Sequence, residues 1–150
     1  MRSILVKRID ALARSRLATV SADALLLDAA KLLSDAHISL VIVCDSDGVM
    51  AGVITKTNIV QQVGRSCEII GTALAGDVMT RDVLFCRPTD PLLDVMAMMA
   101  KRGFSHIPVV DENFKPYGVF NAGDALRAMV ADEKYDAALL RDYVMGIGYQ

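Results

Sequence analysis

The sequence predicts a mixed α/β chain of α+β character, built as two tandem copies of one small unit. Three observations predict it. The chain repeats itself: displaced by 66 positions, residues 26–58 fall on residues 92–124 without a gap. Leu26, Leu27, Asp28, Ser39, Val43, Asp45, Gly52 and Val53 then face Leu92, Leu93, Asp94, Ser105, Val109, Asp111, Gly118 and Val119. Those eight identities in 33 positions exceed the chance level of about two or three. Each copy also carries a helical apolar stripe, and each follows it with two short apolar runs around a turn. The unit reads as helix, strand, turn, strand, helix.

The elements follow in order. Residues 1–16 form an N-terminal segment with charges at Arg2, Lys7, Arg8, Asp10, Arg14 and Arg16. In the first repeat, 17–63, Leu26, Ala29, Ala30 and Leu33 recur at i, i+3, i+4 and i+7, one face of a helix. Ser39–Cys44 is too continuously apolar for one face to meet water, so it predicts a strand buried on both sides. Asp45-Ser46-Asp47-Gly48 is a turn, and Val49–Ile54 a second strand. Asn58 stands as the N-cap of a helix over Ile59–Val63. Residues 64–79 link the copies.

The second repeat, 80–130, restates this. Asp90 predicts a cap and Pro91 the first turn of a helix whose face is Leu92, Val95, Met96 and Met99, and Gly103 is its stop. Ser105–Val110 and Tyr117–Phe120 are strands around the turn Asp111-Glu112-Asn113-Phe114. Asp124 stands as the N-cap ahead of Ala125–Val130. The remainder, 131–150, predicts an amphipathic helix over 132–145, with Tyr135, Leu139 and Tyr143 on one side.

The chain has 150 residues, 53% hydrophobic and 23% charged, which marks a globular domain. A repeat of about 60 residues alone buries too little surface for stability, so the halves are expected to share a core. A net charge of -2 argues against a broad nucleic-acid surface, which needs a basic face, and leaves room for a local basic patch. Apolar runs such as Leu40–Cys44 are too short to span a bilayer, and the charged N-terminus leaves no signal peptide. Cys44, Cys67 and Cys86 are odd in number and unpaired in spacing, which fits a reducing cytoplasm.

The segments that could carry chemistry are Gly52-Val53-Ile54-Thr55-Lys56-Thr57-Asn58 and its mate Gly118-Val119-Phe120-Asn121-Ala122-Gly123-Asp124. A strand end feeding a helix N-terminus presents free amides and a positive dipole end, a seat for anions such as phosphate. A carboxylate at the same place accepts paired hydrogen bonds from vicinal ribose hydroxyls. The structural alternative is that Asn58 and Asp124 are helix caps and nothing more. His106 reads either as a phosphate contact or as a polar strand-end residue, and His37 as a structural or solvent-facing one. The N-terminal arginines read as a solvated face or as charge available to a phosphate. No spacing of His, Cys, Asp or Glu points to a metal.

These phrases resemble the CBS domain, two of which in tandem form a Bateman module. The second copy carries the likeness most fully: Asp77-Val78-Met79-Thr80 at its entry, Ser105-His106-Ile107-Pro108-Val109-Val110-Asp111 in the middle, and Gly118 to Asp124 at the end. The resemblance covers residues 17–130 and extends to small stand-alone bacterial CBS-pair proteins. It implies two β-α-β-β-α repeats packed about a pseudo-twofold axis, and a homodimer of two chains. It also implies an adenosine-containing ligand, AMP, ADP, ATP, S-adenosylmethionine or NAD(H), bound between the repeats as a regulatory ligand and not as a catalytic cofactor.

Carried onto this chain, one cleft uses Asn121, Gly123 and Asp124 with Ile38, Ser39 and Leu40. The other uses Thr55, Lys56 and Asn58 with Thr80, Val83, Ser105, His106 and Pro108. The first keeps the family's acid but has Asn121 for its Thr; the second keeps Thr55 but has Asn58 for its Asp. An amide binds a hydroxyl more weakly than a charged acceptor does, so Asp124 is the favoured ribose ligand. No nucleophile, base and orienting group stand together. The expected function is therefore a non-enzymatic nucleotide sensor acting on an unidentified protein partner, with no membrane or nucleic acid involved. The rival readings are a dimerising interaction module without ligand, and a phosphate-transferring enzyme.

Overall fold

A computed structural model describes residues 4–132; the C-terminal helix expected around Tyr135, Leu139 and Tyr143 lies outside the described residues. A 3-10 turn (Val6–Ile9) leads into α1 (Asp10–Ser15), β1 (Thr19–Ser21), α2 (Leu26–Leu33), β2 (Leu40–Cys44), β3 (Met50–Thr55) and α3 (Lys56–Arg65). There follow α4 (Ala75–Val78), α5 (Leu92–Arg102), β4 (His106–Val110), β5 (Pro116–Asn121) and α6 (Ala122–Ala131).

The two hairpins share one register. β2 and β3 run antiparallel with Leu40 opposite Thr55 and Val43 opposite Gly52; β4 and β5 do so with His106 opposite Asn121 and Val109 opposite Gly118. Their turns work alike. The Asp45 carboxylate accepts from the Asp47 and Val49 amides, and Asp111 accepts from Asn113 and Lys115. Gly48 takes φ +80°, whereas its mate is Phe114 at φ 61°, a backbone region that L side chains seldom enter. Phe114 is held there by the seam: its carbonyl accepts from the Met50 amide at 3.0 Å, and its ring meets Phe85 edge-on at 4.9 Å.

β1 lies parallel to β2. Its mate in the second repeat shrinks to one residue, Cys86, bridged in parallel to Val109. Both copies therefore follow β-α-β-β-α order, as expected.

The strands are buried on both faces because successive side chains serve different cores. Val41 and Val43 enter the first repeat's core with Leu26, Ala29 and Leu33. Leu40 and Ile42, on the opposite face, join Val53, Val110 and Val119 in a shared seam between the repeats. The second repeat's own core gathers Leu92, Met96, Ile107, Phe120 and Met129.

That second core also contains Ile4, Val6 and Ile9, so the N-terminal segment completes it. The Val6 amide donates to the Asp90 carbonyl, and the Leu92 amide to the Ile4 carbonyl. α1 lies so close to β5 that a Cβ on Gly118 would sit 2.8 Å from the Ala13 carbonyl carbon. Tyr117 donates its hydroxyl to Asp10 at 2.7 Å beneath the Arg14 guanidinium. The segment joining the repeats does the same for the first: a Cβ on Gly52 would sit 2.6 Å from the Thr80 carbonyl oxygen, and Val53 and Thr80 exchange backbone hydrogen bonds.

Three helix starts differ from expectation. Asp90 does not cap α5; its carboxylate accepts from the Arg87 amide, while Leu92 is bonded to Ile4 instead. Asn58 and Asp124 are not N-caps. β3 and β5 run into α3 and α6 with no intervening loop, so the last strand residue becomes the cap. Thr55 accepts from the Asn58 amide in a capping box, and Asn121 accepts from the Asp124 amide at 3.0 Å. Asn58 and Asp124 stand at the third helical position. Gly103 closes α5 in the left-handed conformation, φ +78°, as expected.

Candidate functional site

Each strand-to-helix junction of one repeat faces the entry to the first hairpin strand of the other, and the two resulting clefts differ sharply.

The junction of β3 and α3 opens onto a cavity of about 400 Å3, within the usual range for small-molecule sites. Thr55, Asn58 and Thr80 line it together with Val83, Ser105, His106 and Pro108. Of the residues the sequence assigns to this cleft, Lys56 alone stands elsewhere, on a shallow apolar groove beside Ile59 and Val60. The polar wall is ordered in advance. Asn58 Oδ1 accepts from the Thr55 amide at 2.8 Å and from its hydroxyl at 3.0 Å. Asn58 Nδ2 donates to Thr80 Oγ1 at 3.2 Å, leaving its second hydrogen for a ligand. Leu40, Val53, Leu84 and Ile107 supply an apolar floor, and the exposed Phe104 stands at the rim.

His106 is half-buried, with Nδ1 hydrogen-bonded to Ser105 Oγ at 2.9 Å. Burial first, and the Arg16 charge second, push its imidazole below the ordinary histidine range. It is therefore neutral at physiological pH.

The junction of β5 and α6 is filled by the protein itself. Asp124 is 2% exposed, the one buried charged residue among those described. Arg16 Nε donates to its Oδ2 at 2.6 Å and Arg16 Nη2 to its Oδ1 at 3.0 Å. Arg127 Nη2 adds a bond to Oδ1 at 2.7 Å. Arg16 also donates from Nη1 to the His37 carbonyl at 3.1 Å, so it crosses the cleft to the chain just before Ile38, Ser39 and Leu40. The two guanidiniums hold the Asp124 carboxyl below the usual carboxylate range, the Arg16 hydrogen bonds contributing most. Asn121 is engaged as the α6 cap, and Gly123 packs against it, its absent Cβ 3.1 Å from Asn121 Oδ1. Leu40, assigned to this cleft, lines the open cavity instead.

Arg16, Arg127, Asp82, Gln61 and Phe104 were not singled out from the sequence as site residues. Phe104 had a signal: the 66-residue offset pairs it with Ile38, which the sequence assigns to the other cleft. The thiols play no evident part, and burial pushes Cys86 up to about 12. Among the described residues no cluster of His, Cys, Asp or Glu could hold a metal, and no helix is long and apolar enough to cross a membrane.

The CBS domain profile matches residues 6–65 and 75–131. The CBS domain pair of protein MJ0100, solved with 5′-methylthioadenosine and S-adenosyl-L-methionine, superposes with a TM-score of 0.72 at 25% identity, covering 87% of this chain and 98% of that one. A CBS-domain protein from Agrobacterium tumefaciens, ATU1752, gives 0.70 at 29% identity, covering 83% and 98%. A homoserine O-acetyltransferase from Methanobrevibacter ruminantium is 25% identical over 111 residues, 74% of this chain but 22% of that protein. A second such enzyme, from Methanococcoides burtonii, is likewise matched over 22% of its length. The likeness to these enzymes is thus to about a fifth of each.

Proposed function

The chain belongs to the CBS domain family, and from that premise we propose that it is a non-enzymatic regulatory module binding an adenosine-containing ligand between its two repeats. The observation that carries this is the open cavity, where seven residues assigned from sequence line one space. Its walls come from different repeats, so a ligand bridging Thr55–Asn58 and Ser105–Pro108 favours one relative placement of the halves. A partner protein reads that placement. Such coupling requires unequal affinity for two shapes, not occupancy alone. The Asp124 cleft enters as a second seat only if Arg16 is displaced, so one ligand per chain is the expected stoichiometry.

The assay is thermal denaturation with adenosine, AMP, ADP, ATP, NADH and S-adenosylmethionine, on the wild type and Ser105→Trp. Ser105 is exposed at the cavity mouth, so tryptophan fills the space without disturbing a core. Saturation at a hundredfold over Kd adds about 2.7 kcal/mol, a rise of about 5–10 °C for this size. The rise should vanish in Ser105→Trp. Flat curves with every compound would favour the ligand-free interaction module.

An independent observation supports self-association in either case. α3 buries none of its residues, with Val60 68% and Val63 47% exposed, and Val130 of α6 is 67% exposed. We take these helix faces as the homodimer contact. Three free thiols fit a cytoplasmic setting.

A further inference from the structure

The two clefts are repeat-related, yet their charges are exchanged. In the closed cleft one carboxylate, Asp124, lies between two guanidiniums, Arg16 and Arg127. At the three equivalent positions of the open cleft stand Asn58, Asp82 and Gln61, and all three line the cavity. An acid, Asp82, stands where the closed cleft has Arg16, while Asp124 and Arg127 are replaced by the neutral Asn58 and Gln61. Neither Asp82 nor Gln61 offers a guanidinium, so no ion pair of the kind Arg16 and Arg127 make with Asp124 fills this cleft. The cavity's remaining ionisable lining residue is His106, uncharged at neutral pH for the reasons given above. Among the described residues, its lining thus offers a carboxylate and no lysine or arginine.

We propose that Asp82 makes the open cleft selective for an adenosine derivative without an anionic phosphate: a nucleoside whose 5′ substituent is neutral or cationic. This rests on the binding reading of the previous subsection and narrows it away from AMP, ADP, ATP and NAD(H). A carboxylate accepts paired hydrogen bonds from a ribose diol and attracts a cation. It repels a phosphate at a distance of several ångströms, within the screening length of physiological salt. Asp82 is exposed, so replacing it tests selectivity without removing core packing.

Isothermal titration calorimetry with adenosine, 5′-methylthioadenosine and AMP, at low and physiological salt, separates the outcomes. Wild type should bind 5′-methylthioadenosine at least about tenfold tighter than AMP, at one molecule per chain. Asp82→Asn should shrink that ratio to less than about threefold, and Asp82→Lys should reverse it. Equal or tighter binding of AMP by wild type overturns the proposal, as does a preference that survives Asp82→Asn. Absence of heat with all three compounds overturns the binding reading itself, and the selectivity with it.

Discussion

Replacing Arg16 with alanine withdraws two of the three hydrogen bonds that Asp124 receives from guanidinium groups, those at 2.6 and 3.0 Å. The carboxylate stays where it is, at the base of α6 and 2% exposed, because the Asn121 cap and the β5 register fix its backbone. Breaking one side of a buried ion pair costs about 3–5 kcal/mol. Here Arg127 keeps its 2.7 Å bond, though its side chain is 71% exposed, and water can enter the space Arg16 leaves. A loss of about 2–3 kcal/mol at pH 7 is therefore expected, equivalent to about 5–12 °C in Tm. Urea denaturation followed by circular dichroism measures it.

Acid provides the control. The folded Asp124 carboxyl is depressed, so its pair stabilises the fold fully above the unfolded value of about 3.9. That contribution is lost as pH falls through the lower folded value. The Arg16→Ala penalty should shrink accordingly in acid, and Asp124→Asn should recover part of it at pH 7 by removing the stranded charge. A penalty below about 0.5 kcal/mol at pH 7, the range of an ordinary surface substitution, would refute the reasoning. So would a penalty independent of pH.

Two other outcomes follow from the same structure. Gly118→Ala drives a methyl into the Ala13 backbone at 2.8 Å, and since backbone cannot turn aside, α1 must lift from β5 at about 1–3 kcal/mol, visible as a lowered Tm. His106 is held neutral in the fold, so the unfolded chain binds its proton more readily. Stability should therefore rise with pH from the folded value of His106 to about 6.5, and denaturation curves of His106→Asn should show that part of the slope removed.

The helix faces and hairpins were legible in the sequence because burial on alternate faces leaves a period. Leu26, Ala29 and Leu33 repeat at helical spacing, and Leu40 to Val43 are apolar throughout because two cores claim them in turn. The helix starts were misplaced because Thr55 and Asn121 act as strand residue and cap at once, with no loop to announce the change. The N-terminal segment reads as a solvated charged face, since its partners Asp90, Leu92 and Tyr117 lie 80 residues or more away in sequence and local pattern carries no trace of them. Most of the open cleft could be assigned from the duplicated motif. The occupation of the other by Arg16 could not, because a lone arginine before a strand looks the same whether solvated or buried against an acid.

The packing of residues 4–15 onto the second repeat sets an order of events in time. During synthesis these residues emerge more than a hundred positions ahead of β5, the strand that α1 covers. The first repeat, finished by the segment around α4, is complete soon after Thr80 has emerged. Residues 4–15 meanwhile wait for Tyr117, Gly118 and Met129, and contacts of such sequence separation form late because a long loop must close first. The last contacts to form are thus those that bring residues 4–15 back onto the second repeat. Since Arg16 travels with them, the cleft at Asp124 is sealed only when that return is complete.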